Sequence, residues 1–157
     1  MNKEVEQKIV QLKKRNTNIV LATIDSEGQA LASQAPFVLD EDGNFLVLVS
    51  GLAEHGRNLR TAEAASVMLM QDETGLANPF ARERLSFNCT VELLLPGSEP
   101  RKNGEQLMLQ RFGKFVHTLL QLPDFAMFRL SPVEGRYVAG FGAAYAIENG
   151  EIRQLRS

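Results

Sequence analysis

The chain is short of the residues that usually advertise chemistry. Its 157 residues include one cysteine, two histidines and no tryptophan. A single Cys89 can close no intrachain disulfide and can build no cysteine zinc cluster. It lies in the alternating run SFNCTVELLL, where it reads as an inert strand residue. His55 and His117 form neither an HxxxH nor an HExxH pair, so no protein-built zinc motif is present. A surplus of positive charge is also missing. With 17 Lys+Arg against 19 Asp+Glu the net charge is −2, which argues against a general nucleic-acid binder with its basic face. No apolar run approaches the roughly 18 residues of a membrane span. The opening MNKEVEQKIVQLKKRN is charged throughout and lacks the apolar core of a secretory leader. The expectation is a soluble, cytoplasmic protein without nucleic-acid or membrane partners.

What is present fits a single domain spanning residues 1–157. Hydrophobic residues make up 44%, and a chain of this length hides roughly 70% of its unfolded surface, so it needs no staples. Val5, Ile9 and Leu12 recur at helical spacing in a helix over residues 1–15, with Lys3, Glu4, Lys8, Lys13 and Lys14 assigned to its wet side. From Thr17 the pattern changes to strand residues. TNIVLATID, QALASQAPFVL and FLVLVS read as three antiparallel strands, joined through Ser-Glu-Gly and DEDGN turns. SGLAEHGRNLRTAEAA reads as a short helix capped by Ser50, with Leu52 and Leu59 inward.

SVMLMQDE is a further strand, and Asn78-Pro79 a helix start. In SFNCTVELLL, Phe87, Cys89, Val91, Leu93 and Leu95 share a face. PGSEPRKNG reads as a loop, and GEQLMLQRFGKFVHTLLQL as helix broken near Gly113. A last strand pair starts near Phe125 and turns at Val133-Glu134-Gly135. Short connections between many strands, without alternating βαβ order, predict a small antiparallel barrel with helices at its ends.

GRYVAGFGAAYAI, residues 135–147, imitates a dinucleotide fingerprint in GFGAAY. That fingerprint needs a helix and a second parallel strand beyond it, and too few residues remain, with another turn at Glu148-Asn149-Gly150 among them. Glycines within a strand mark instead a bulge, a bend, or the close approach of a ligand or partner. The polar candidates are few. His55, Arg57 and Asn58 cluster at the short helix and suit a phosphate or carboxylate, or else form a solvated face. His117, among Phe115, Val116, Leu119 and Leu120, reads as a partly buried core histidine. Arg82 and Arg84 flank Glu83, leaving one arginine for an anion or both for surface pairing. Asp124 follows Leu122-Pro123 as a turn or cap residue. Ser86 lacks the GxSxG context of a hydrolase nucleophile.

Three segments, SGLAEHGRNL, NPFARERLSF and LPDFAMFRLSPVEGRYVAGFGAAYAI, together resemble the haem-utilisation proteins of the HugZ/HutZ type. These belong to the FMN-binding split-barrel superfamily that includes pyridoxamine 5'-phosphate oxidases. The resemblance covers about Thr17 to Ile147. It implies a six-stranded antiparallel split β-barrel with flanking helices, a barrel core over residues 17–147, and a homodimer with haem at the subunit interface. It further implies oxidative haem degradation in some members. His55 then matches the histidine of the helix motif, Arg84 an arginine near the haem, and Asp124 the acid that contacts the axial histidine from the partner subunit, which makes Arg84 and Asp124 the catalytic candidates. That axial histidine lies in a C-terminal extension, whereas no histidine follows His117 here. The flavin-binding relatives imply an alternative, an FMN oxidoreductase, with Ser50, Arg57 and Asn58 near the phosphate. A non-catalytic haem or tetrapyrrole carrier is a third reading.

Overall fold

In the computed structural model, which describes residues 3–155, the chain forms a helix, three strands, a helix, two strands, a helix pair and three more strands. Met1 and Asn2 of the expected first helix lie outside the described residues. Helix α1 (Lys3–Arg15) is followed by β1 (Asn18–Ile24), β2 (Ala30–Leu39) and β3 (Phe45–Ser50). Their turns repeat one device. Asp25 accepts the amides of Glu27 and Gln29 on one carboxylate oxygen, and Asp40 accepts those of Asp42 and Asn44. Gly28 and Gly43 supply the left-handed residue each turn requires, with φ of 79° and 81°.

Helix α2 (Glu54–Thr61) leads to β4 (Ala64–Met70), a single 3₁₀ turn (Pro79–Ala81) and β5 (Arg84–Leu94). Helices α3 (Glu99–Phe112) and α4 (Phe115–Leu120) precede β6 (Phe125–Gly140), β7 (Ala143–Glu148) and β8 (Glu151–Gln154). Antiparallel pairing runs β3-β2-β1-β4-β5-β6, and a further β3–β6 ladder from Phe45↔Leu130 to Ser50↔Phe125 closes these six strands into a barrel. Strands β7 and β8 extend the sheet beyond it. Among the described residues no helix is long and apolar enough to cross a membrane.

The barrel interior holds Ile19, Leu21, Phe37, Phe45, Val47, Leu85, Phe87 and Phe128. Strand β3 has no wet face: Phe45, Val47 and Val49 point inward, while Leu46 and Leu48 are covered from outside by Met108 of α3 and Val116 of α4. A strand covered on both sides loses its alternation. Helix α1 closes one end with Val5, Ile9 and a fully buried Leu12.

Several expectations need correction. PGSEPRKNG is not all loop, because α3 begins at Glu99 behind Ser98, whose hydroxyl accepts the Arg101 amide. The chain does not turn at 133–135. Strand β6 runs through, with Val133 left out of a ladder that pairs Pro132 with Cys89 and Glu134 with Asn88. Turn-forming residues here make a bulge, which bends a strand without reversing it. Beyond Val91 the buried face of β5 switches: Leu94 packs under the helix pair, while Leu93 and Leu95 are exposed. Leu52 is 78% exposed rather than inward. Lys13 is half-buried, its ammonium 5.6 Å from the Phe87 ring centroid and 6.0 Å from that of Phe45. His117 is exposed on α4, because α4 buries only Val116 fully.

Candidate functional site

The closed barrel separates the polar candidates into two groups. At the end where β1 turns into β2, strand β3 finishes at Ser50, α2 begins and β6 enters through Asp124. At the opposite end lie α1, Met70, Arg84 and Val138, the last three paired side by side.

At the α2 end Ser50 donates its hydroxyl to Asp124 Oδ2 at 2.6 Å and accepts the Leu52 amide at 3.0 Å. The Gly51 amide donates to the Asp124 carbonyl at 2.6 Å. Ser50 is therefore no helix cap. The residue at that position is Ala53, and Ser50 instead ties the exit of β3 to the entrance of β6. A hydrogen bond to a carboxylate is shorter and stronger than a neutral one, so the Gly51–Ala53 connection is anchored at its base.

Helix α2 is set down close to that tie. Gly56 permits the approach: a Cβ there would lie 2.0 Å from the Ser50 carbonyl oxygen. Leu59 is buried in the barrel core, and Asn58, also buried, donates from Nδ2 to Thr23 Oγ1 at 3.0 Å. Asn58 is thus occupied in holding α2 to β1. His55 stands 3.1 Å through Nδ1 from Ser33 Oγ on β2, and burial lowers its pKa below the ordinary 6.5. Arg57 is exposed and donates to the Leu52 carbonyl at 2.7 Å, which leaves other guanidinium donors for an anion.

Arg84 stands apart from these groups. It donates to the Arg82 carbonyl at 3.0 Å, and Arg82 donates to the Gln71 carbonyl at 2.7 Å. Glu83 between them accepts Arg15 at 3.0 Å and the hydroxyl of Tyr137. That tyrosine's pKa is raised by burial and by the Glu83 carboxylate. The α1 end also carries two concavities of about 670 and 680 Å³, lined by groups such as Arg15, Gln71 and Tyr137. Neither is lined by Ser50, His55, Arg57 or Asp124, of which Arg57 is exposed and the other three half-buried.

The structure therefore brings together five of the six candidates and places Arg84 at the far end. It adds three supporting residues: Ser33, Thr23 and Gly56. Ser33 and Thr23 sit among alternating strand residues, where nothing local marks them. Among the described residues no group of three or more His, Cys, Asp or Glu side chains is placed to hold a bare metal ion. Cys89 is buried with its thiol pushed up to about 12 by desolvation, so it offers no thiolate. The donor set at the α2 end is an imidazole, a guanidinium and a hydroxyl–carboxylate pair. That set fits a ligand with anionic groups and either a metal centre or a flat polar ring.

Comparison with known proteins gives the same architecture. The sequence profile described as pyridoxamine 5'-phosphate oxidase matches residues 5–139. The chain is 37% identical over 148 residues to the heme oxygenase HutZ of Vibrio cholerae, covering 94% of this chain and 84% of that protein. The solved structure of V. cholerae HutZ, described as a heme storage protein, superposes with a TM-score of 0.77 at 36% identity, covering 81% of this chain and 89% of that one. Campylobacter jejuni ChuZ superposes with a TM-score of 0.87 at 27% identity over 98% of this chain and 63% of that one. The closed six-strand barrel, the profile match and this identity over most of both chains place the protein in the pyridoxamine 5'-phosphate oxidase family, among its split-barrel relatives of haem utilisation.

Proposed function

We propose that this protein binds haem at the α2 end of its barrel, at an interface between two copies of the chain, and degrades it oxidatively when supplied with electrons. The reading is carried by one observation: a relative named a heme oxygenase is 37% identical over 94% of the chain. The local chemistry supports it. His55 offers a nitrogen ligand, and Arg57 offers donors for a carboxylate of the haem edge. The Ser50–Asp124 tie fixes the connection that leads into their helix. Bound haem would supply a redox-active iron, while the protein contributes binding, orientation and electrostatics.

The homodimer belongs to the same proposal. Arg84 is at the opposite end of its own barrel from the α2-end cluster. If Arg84 and Asp124 serve one haem, they come from different copies. A cytoplasmic location is part of the reading as well. The test is a hemin titration of the purified protein followed by desalting, with the mass in solution measured alongside. A retained Soret band near one haem per chain, on a dimer, is expected. Loss of the band with ascorbate, accompanied by iron release, separates degradation from carriage. Hemin that washes away overturns the reading.

The family profile favours a second reading, an FMN oxidoreductase with its phosphate near Ser50, Arg57 and Asn58. Asn58 is already committed to Thr23, so Arg57 would carry most of the recognition. A yellow protein with flavin absorption after purification would support this reading over haem.

A further inference from the structure

His55 is held in a way that settles which of its ring nitrogens is free. Its Nδ1 is 3.1 Å from Ser33 Oγ, and Ser33 Oγ is 3.1 Å from the carbonyl oxygen of Leu21 on β1. A serine hydroxyl has one proton, and a carbonyl can only accept. If that proton pointed at Nδ1, the contact with Leu21 would place two acceptors face to face. If it points at Leu21, Ser33 accepts from Nδ1–H and both contacts are hydrogen bonds. Partly buried polar groups adopt the arrangement that satisfies them all. The network therefore assigns the proton to Nδ1, and in the neutral ring the lone pair lies on Nε2.

Nε2 makes no hydrogen bond to any described residue. It is also not sealed in, because no buried side-chain nitrogen or oxygen among the described residues lacks a partner. A reachable imidazole nitrogen, with the opposite N–H anchored through a hydroxyl to a backbone carbonyl, is the arrangement by which proteins orient a metal-binding histidine. His117, the other histidine in the sequence, sits exposed on α4, and its side chain has no hydrogen bond to a described residue that would fix the ring. The Cys89 thiol is enclosed in the barrel core.

We infer that His55 Nε2 is this chain's ligand to the haem iron, and that Ser33 is the positioning residue that fixes the imidazole. The inference rests on the haem reading above and adds to it the atom that meets the metal.

The experiment is a set of hemin titrations with optical and low-temperature electron paramagnetic resonance spectra. It uses the full chain and its His55→Ala, His55→Gln, Ser33→Ala and His117→Ala variants, each checked for native circular dichroism. Removing His55 by either substitution should change the ferric spectrum and lower hemin affinity at least tenfold. Added imidazole should restore the wild-type spectrum in His55→Ala. Ser33→Ala should keep the histidine-ligated spectrum but bind roughly 10-fold more weakly, the size of effect that loss of an outer partner has on a metal site. His117→Ala should match the wild type. An unchanged spectrum in a folded His55 variant that retains hemin overturns the ligand assignment and leaves the haem reading standing. Hemin that the wild-type chain does not retain overturns both.

Discussion

At the α1 end of the barrel Glu83 commits both carboxylate oxygens, to Arg15 and to Tyr137, whereas at the α2 end His55 engages one ring nitrogen and leaves the other without a partner among the described residues. The contrast extends to the neighbours. Arg82 and Arg84 donate to backbone carbonyls that fix the approach to β5, and Leu12 fills the barrel mouth with none of its surface exposed. On the other side, Asn58, Ser50 and His55 are each gripped from behind by Thr23, Asp124 and Ser33. One end is a seal, in which Glu83, Arg15 and Tyr137 satisfy one another. The other is a mount, in which a short helix is pinned and its remaining capacity faces outward. Spare hydrogen-bonding or ligating capacity, rather than the number of polar residues, distinguishes a site from a structural network.

The strongest way to break this contrast is to damage the seal. Leu12→Ala removes a fully buried side chain from the plug and should cost about 2–5 kcal/mol, as large-to-small changes in cores do. Thermal or urea unfolding would measure it, and ligand affinity of the folded fraction should not change. Gly56→Ala attacks the mount. Its new methyl would collide with the Ser50 carbonyl, a backbone atom that cannot swing away. Overpacking of this kind typically costs about 1–3 kcal/mol. Helix α2 must lift, so hemin affinity should fall along with stability. Equal loss of affinity in both variants would mean that the two ends are not separable.

A milder test uses alkali and acts on the barrel core and the seal. Cys89 and Tyr137 have pKa values raised above their ordinary 9.0 and 10.0, the first by burial, the second by burial and by Glu83. A raised pKa means that the fold favours the protonated form. The stability these groups contribute is complete below the unfolded pKa and is lost as pH rises beyond it. Unfolding midpoints should therefore decline above about pH 9. At pH 8 the native thiol should resist a thiol reagent that reacts readily in denaturant. Replacing Cys89 with Ala and Tyr137 with Phe should flatten the decline, and an unchanged slope would place its source elsewhere.

Most of the barrel was legible because period-two alternation, as in β1 and β4, and aspartate–glycine turns, as on either side of β2, are local signals. The errors arose where tertiary context overrode composition. Glu134-Gly135 looks like a turn, but Gly135 lies where a Cβ would meet the Phe87 ring at 2.4 Å, so the glycine serves close strand packing within a bulge. SEPRKNG looks like a loop, although Ser98 and Pro100 are an ordinary helix start. For the site, His55, Arg57 and Asn58 stood out as neighbours in the chain. What holds them lies 22 residues away at Ser33 and 35 away at Thr23, on strands whose sequence gives no hint of it. The fixed imidazole tautomer exists only in the folded network. Ser50 illustrates the same limit, since its local pattern suits a cap while its partner, Asp124, is 74 residues distant.

The smallest effect on stability should come from the most exposed part of the mount, and it sharpens the contrast by separating holding from binding. Among the described residues the Arg57 side chain makes one hydrogen bond, to the carbonyl of Leu52, itself an exposed residue, and forms no ion pair. Arg57→Ala should change stability by no more than about 0.5 kcal/mol, as surface substitutions usually do. Its effect on binding depends on what the site takes. A phosphate held in two-pronged fashion depends on a guanidinium far more than does a flat macrocycle held also by its metal and its apolar faces. The variant should therefore weaken FMN more than hemin, and Arg84→Ala should do the reverse if the partner copy brings Arg84 to the haem. Parallel titrations of both ligands against both variants decide this. Hemin binding that collapses in Arg57→Ala and survives in Arg84→Ala would place the recognition of haem within one barrel and remove the argument for a shared site.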